Sequence, residues 1–448
     1  MEGKPTLGRS QFIYGMWKKD FPQVFIPKQS SFTKCTVCEH LKKKLQNAYL
    51  EEDDRKRYAL MRSLHLEQQM VERESYYKHG AKAAFSPEKY LSVIIGGMDQ
   101  GKHNIPHFKV TTKEDQYALR LKTHVTGVLV NMRSLAYTFI DICQWPHDSN
   151  LTINVLLRIL IDLQKKNGFL PPTLYLQMDN CYRECKNKYI LAFLSILVEM
   201  GIFDKINLSF LMVRHTHEDV DQMFSCISRQ LLRNDAHTIH SLASQIQQSY
   251  SPTPDVAELT EIVDVKGWLT GHFEEKISGH VYPHQFKIVR NEKSKACLFY
   301  RLWSTSSMWK PKNGINLVNQ LPTHKPKEVI QDFSKINLDK LENDLTKYRL
   351  NFDDNDVKWW KRFLMEKRNV RSNLNPVFYL DNLKKCRKPI AKPRVLSEEE
   401  KQQNQELEKL YRKEIEEPEI VVGKAKNRKR KQPPKDGNAA RRKRQRIA

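Results

Sequence analysis

The chain lacks any apolar run long enough to cross a bilayer: stretches such as 189–200 fall well short of the ~20 residues that a spanning helix needs. Residues 1–10 carry no apolar signal region. The expectation is a soluble, intracellular protein with no membrane partner. Cysteine is scarce, with 8 in 448 residues, and too scattered for a disulfide framework, so reduced thiols are expected. Cys181 and Cys185, beside Asp179, read as packing thiols. Acid is outweighed, 52 Asp and Glu against 76 Lys and Arg, for a formal charge of +24 and a pI near 9.5. A polyanionic partner follows, DNA before others, and no small-molecule substrate is expected. Much of the surplus lies in residues 424–446, while the middle of the chain is nearly balanced.

What is present divides the chain into segments. Residues 1–34 carry aromatic anchors (Phe12, Tyr14, Trp17, Phe21, Phe25) without a period and read as an extended segment. Residues 35–89 open with Cys35 and Cys38, then run into a charged helical region over 39–79, broken near Gly80. A CxxC pair supplies two thiolates toward a tetrahedral Zn²⁺, with His40, His65 or His79 as further donors. A structural zinc and a pair of unligated cysteines both remain open. With metal, this region would be a nucleic-acid or self-association module.

Residues 90–250 change texture. Strands are predicted over 91–95, 124–130 and 135–142, the last two as an antiparallel pair around 131–134. A helix over 151–166, capped by Ser149 or Asn150, ends at Asn167-Gly168. A strand over 174–178 delivers Asp179 and Asn180, and a helix over 187–200 follows. A strand over 208–213 then runs into the polar cluster 214–221, which opens a helix carrying Met223, Phe224, Ile227 and Leu231. Strands joined by a helix crossover run parallel and place their C-terminal ends on one edge.

Residues 255–385 read as a small α+β module. It contains a hairpin around Asn291, an aromatic and basic loop with Trp303, Trp309, Lys310 and Lys312, and helices near 338–348 and 354–366. Aromatics among lysines stack on bases or simply pack. Residues 389–448 read as a charged, largely disordered tail with a solvated helix over 397–416. Its clusters Arg428-Lys429-Arg430-Lys431 and Arg441-Arg442-Lys443-Arg444 have the form of a bipartite nuclear localisation signal, so nuclear residence is expected.

The order strand, strand, strand, helix, strand, helix, strand, helix resembles the ribonuclease H-like core of DDE/D transposases and retroviral integrases. The expected fold class is therefore α/β, a mixed sheet flanked by helices. The phrases Gly97-Met98-Asp99-Gln100-Gly101-Lys102, Met178-Asp179-Asn180-Cys181-Tyr182-Arg183-Glu184 and His215-Thr216-His217-Glu218-Asp219-Val220-Asp221-Gln222 resemble a family of transposon-derived proteins known only as a domain of unknown function. The likeness covers roughly residues 30–250. It implies acids at the ends of the first and fourth strands, here Asp99 and Asp179, and a third acid within 218–221.

Carboxylates at those positions suit Mg²⁺ or Mn²⁺, hard cations that prefer oxygen. For the third acid, helical geometry puts His217 and Asp221 on one face bordering the apolar stripe. Asp219 lies three residues after Thr216 and can close a capping box. Asp221 is the first choice and Glu218 the second. His215 and His217 bind metal, position phosphate or hydrogen-bond Asp221, and Asn180 supports Asp179. A competing motif, GxxxxGK over 96–102, suggests a P-loop ATPase, but His103 stands where Ser or Thr would hold Mg²⁺ and Pro106 comes too early for the helix. The favoured function is a transposase-like nuclear DNA-binding protein with metal-dependent strand cleavage or transfer. The alternative is a domesticated, catalytically silent DNA or chromatin binder.

Overall fold

Strand residues alternate sides because successive Cβ atoms point to opposite faces, and the apolar positions of this chain use both. Leu91, Val93 and Ile95 enter one core and Ile94 the other, and Val128 and Val130 separate in the same way from Val125 and Leu129. Such two-sided burial needs a sheet covered by helices on both faces. The computed structural model, which describes residues 35–111, 117–131, 134–212, 219–334, 336–369, 376–386 and 421–422, has that architecture.

The strands are β1 Tyr90–Gly97, β2 His124–Val130, β3 Leu135–Asp141, β4 Thr173–Met178, β5 Lys205–Phe210, β6 Asp255–Glu258, β7 Ile277–Ser278, β8 Gln285–Arg290, β9 Ala296–Arg301 and β10 Lys310–Ile315. Nine form one mixed sheet in the order β10-β9-β8-β5-β4-β1-β2-β3-β6, and β7 pairs separately with Val421 and Val422. β1, β4 and β5 run parallel, and β2 is antiparallel to both β1 and β3. The strands of segment 255–385 are hydrogen-bonded into this same sheet, β8 against β5 and β6 against β3.

The helices are α1 Thr36–Leu45, α2 Glu52–Phe85, α3 Ser149–Asn167, α4 Lys188–Glu199, α5 Asp219–Leu231, α6 Ile239–Ser249, α7 Val265–Leu269, α8 Leu338–Leu345 and α9 Asp354–Arg368. Residues of α3, α4 and α7 fill one core, and residues of α5, α6, α8 and α9 fill the other. α4 is apolar all round, with Phe193, Leu194 and Leu197 fully buried, as a helix packed between sheet and neighbours must be.

Three expectations are corrected. The cap of α3 is Asp148, whose carboxylate accepts from Asn150 N at 2.9 Å; Ser149 is already helical, because a carboxylate serves the positive helix end better than a hydroxyl. β5 begins at Lys205, where half-buried Lys205 and Asn207 alternate with buried Ile206, Leu208 and Phe210, a period-two pattern that a search for continuous apolar residues overlooks. The N-terminal helical region breaks at residues 46–51. There Arg55 donates to the Leu45 and Asn47 carbonyls, at 3.0 Å each, and so satisfies the open end of α1. Gly80 is buried inside α2, and the helix runs on through it to Phe85. The chain divides into two compact units, Met1–His65 and Leu66–Ala448.

Within the larger unit, Glu72 of α2 is 1 % exposed. Its carboxylate accepts from Gln68, Gln285 and both the amide and hydroxyl of Ser304. Burial still dominates and pushes its pKa up, although these donors and Arg301 pull the other way. A carboxyl group raised on folding contributes stability that is fully present below its unfolded pKa and is lost as pH rises through the folded value. Glu72→Gln should therefore gain on the wild type as pH rises from about 4, the ordinary glutamate value, toward neutrality. Melting temperatures of both proteins across that range check it, and a pH-independent difference would contradict it.

Candidate functional site

The parallel register that pairs Ile95 with Met178 and Met178 with Phe210 brings the C-terminal ends of β1, β4 and β5 to one edge. Asp99 and Asp179 leave the sheet there, and both are exposed. Asp99 caps a single 3₁₀ turn, accepting from Gly101 N at 3.4 Å, with Lys102 Nζ at 3.7 Å. Among the described residues, a single 3₁₀ turn and no α-helix lies between β1 and β2, so the GxxxxGK stretch meets no helix end there to face a phosphate. Asp179 accepts from the Asn180 amide at 2.6 Å. The Asn180 side chain crosses to the Leu211 carbonyl and accepts from Lys186 Nζ at 3.2 Å, tying the ends of β4 and β5 together. Burial brings Lys186 down to about 8, and its ammonium sits 5.0 Å above the Phe210 ring.

The third acidic position opens α5. Asp219 is buried and accepts from the Tyr76 hydroxyl at 3.1 Å and the Tyr77 hydroxyl at 3.5 Å, whereas Asp221 is half-buried. Glu218, His215 and His217 lie outside the described residues, as do residues 1–34 and the basic clusters 428–431 and 441–444. Asp99, Asp179 and Asp221 share the strand-end region but not a common point: among the described residues, the groups of three metal-type donors within 4.8 Å of one another are two others.

One is Cys35, Cys38 and His65, with Cys35 Sγ 3.5 Å from His65 Nε2. Cys35 precedes α1, Cys38 lies in its first turn, and His65 comes from α2. Burial and the neighbouring Cys35 push the Cys38 thiol up, and burial pushes His65 down. Of the histidines considered for this pair, His65 is the one that meets it; His79 stacks on Tyr175 at 4.1 Å.

The other group, His124, Asp141 and His147, escaped the sequence reading. Strand register pairs His124 directly with Asp141. Asp141 is 1 % exposed, 2.9 Å from His124 Nδ1 and 3.3 Å from His147 Nε2. Burial alone would raise its pKa, but the two imidazoles hold it at about 2. Burial alone would lower His147, and hydrogen bonds to Asp141 and Cys143 raise it to about 10. Counting outward from the turn at 131–134 would have placed His124 opposite Asp141.

In the aromatic and basic loop, Trp303 and Trp309 are half-buried. Trp303 stacks on His284 at 4.2 Å, and the Trp309 ring lies between Lys287 at 4.6 Å and Arg301 at 4.5 Å. No helix among the described residues is long and apolar enough to cross a membrane.

No curated protein matches the chain. Residues 113–306 match a family model described as Domain of unknown function (DUF7869), a span that runs from before β2 to beyond β9 and so holds His124, Asp141, His147, Asp179 and Asp221 but neither Asp99 nor the CxxC pair.

Proposed function

We propose that the chain is a transposase-like DNA-binding protein whose strand-end edge cleaves or joins DNA phosphodiesters with Mg²⁺ or Mn²⁺. One observation carries this reading: the Ile95–Met178 register, which sends Asp99 and Asp179 to the same edge from adjacent parallel strands. The sheet order β3-β2-β1-β4-β5, with β2 antiparallel and helices on both faces, supports a ribonuclease H-like core. A net charge of +24 favours a polyanion, and the basic clusters 428–431 and 441–444 favour the nucleus.

Exposed all-oxygen donors fit a hard cation. Such a cation, when bound, activates the nucleophile and stabilises the leaving oxygen. Asp99 and Asp179 would hold it, with Asp221 or Glu218 completing the set. Asn180 ties the ends of β4 and β5 together, and Lys186 donates to the Asn180 side chain. In the reaction, the oxygen of water or a 3′-hydroxyl forms a bond to phosphorus and gives its proton to solvent, while the bond to the leaving oxygen breaks, and that oxygen keeps the electron pair and takes a proton from solvent.

A second reading, a DNA binder without catalysis, is favoured by the separation of Asp99, Asp179 and Asp221 and by the engagement of Asp219 with two tyrosines. Nicking of end-labelled DNA in Mn²⁺ decides between them. The wild type should cleave, and Asp179→Asn should lose at least about 100-fold in rate while binding DNA at least as tightly. Cleavage that survives the substitution would remove Asp179 from the site, and wild-type binding without cleavage would leave the second reading.

A further inference from the structure

We propose that His124, Asp141 and His147 form a site for a divalent transition metal of the zinc class, with a donor set different from that of Asp99 and Asp179. The inference is independent of the phosphodiester reading.

Three donors of the right chemistry converge from three backbone positions: the start of β2, the end of β3 and the segment leading to α3. Two imidazoles and one carboxylate make a borderline set that suits zinc-class ions over Mg²⁺. Bonds of about 2.0–2.1 Å in a tetrahedral arrangement put neighbouring ligand atoms roughly 3.3 Å apart. His124 Nδ1 lies 2.9 Å from Asp141 Oδ2 and His147 Nε2 lies 3.3 Å from Asp141 Oδ1, so the imidazoles meet different oxygens of one carboxylate; one donor atom from each residue lies within 4.8 Å of the others, and an ion would draw these atoms together. The two rings lie with centroids 4.0 Å apart, tilted by 33°. One carboxylate thus serves two adjacent imidazoles.

The surroundings are those of a supported site. The Cys143 amide donates to Asp141 Oδ1 at 2.9 Å, the kind of outer hydrogen bond that fixes a ligating carboxylate. Gly97 lies against the far nitrogen of His124; a Cβ there would stand 3.2 Å from Nε2. A third imidazole, His103, is 0 % exposed and close enough to feel the charges of His124 and Asp141. Its Nδ1 pairs with Thr123 at 2.7 Å, while its Nε2 meets no partner of good geometry among the described residues. His147 is the most exposed of the three ligands, at 10 %, and gives the site its side toward solvent. The competing arrangement is a metal-free His–Asp–His hydrogen-bonded triad, and it predicts no metal.

The test uses the full chain carrying Cys35→Ser and Cys38→Ser, which removes thiolates from the other donor group. Zn²⁺ is titrated against a chromophoric chelator, and bound metal is counted by mass spectrometry. One equivalent should remain, and adding His147→Ala or Asp141→Asn should weaken it by at least about 100-fold. Co²⁺ in the double-serine chain should give visible d–d bands without thiolate charge transfer, a readout that needs no variant of the site itself. Absence of bound Zn²⁺ and of the Co²⁺ bands overturns the proposal. So does an affinity unchanged in both site variants when circular dichroism shows them folded, or a thiolate band in the double-serine chain.

Discussion

Gly127→Val should cost about 3 kcal/mol or more of unfolding free energy, the upper range for forcing new carbons into a filled core. Gly127 sits in β2 directly opposite Gly96 of β1. Together they leave a bare strip on which α5 lies. A Cβ at Gly127 would fall 2.5 Å from Met223 Cε and 2.6 and 2.8 Å from two carbons of the Phe224 ring; at Gly96 it would meet Val220 Cγ1 at 2.9 Å. Met223 can swing its terminal methyl aside, but the Phe224 ring must also give way to a single Cβ; Gly127→Ala, which adds one carbon against valine's three, is expected to cost less, about 2 kcal/mol. Valine adds two further methyl groups against the Phe224 ring, which is packed and cannot move alone. With net stabilities of about 5–15 kcal/mol, the valine variant loses a large share of its reserve. Denaturant titration of both variants checks the order and the size, and a valine variant within about 0.5 kcal/mol of wild type would mean that α5 does not lie this close to the sheet. Because α5 carries Asp219 and Asp221, its displacement would disturb the strand-end region as well.

The strip also shows what could be read in advance. Gly96 and Gly127 were visible as residues, yet their pairing depends on the β1–β2 register, which no local pattern states. Local signals sufficed where the period was strong. The β2–β3 pair, the apolar stripe of α5 and the helix stop at Gly168, with its φ of 75°, follow from residue spacing and turn chemistry. Long-range pairing was less legible. Nothing local says that β8 lies beside β5, because Phe286 and Ile288 satisfy any apolar face offered to them. The candidate acids divide in the same way: Asp99 and Asp179 were found by their position after strands. His124, Asp141 and His147 were missed because each is ordinary alone and meets the others only through register and a six-residue return. The pairing of His65 with Cys35 likewise required two helices to be placed.

Asp219 and Asp221 should respond to substitution in opposite ways, which separates architecture from chemistry at the opening of α5. Asp219 is 4 % exposed and receives both tyrosine hydroxyls of α2 in the helix's first turn, where negative charge is also favoured by the backbone dipole. Asp219→Ala removes the acceptor from the buried Tyr76 hydroxyl, and its expected cost is about 3 kcal/mol. Tyr76→Phe removes the donor together with its own desolvation cost, so it should cost less, about 1 kcal/mol. Asp221 lies half-buried on the same turn, and Asp221→Asn should leave stability within about 0.5 kcal/mol. If the edge is a working site with Asp221 as its third acid, that silent change in stability will accompany a loss of at least about 100-fold in Mn²⁺-dependent nicking. Denaturant curves and nicking rates on the same preparations give both coordinates. A stable, fully active Asp221→Asn protein would pass the third role to Glu218, because Asp219 is already committed to holding α5 against Tyr76 and Tyr77.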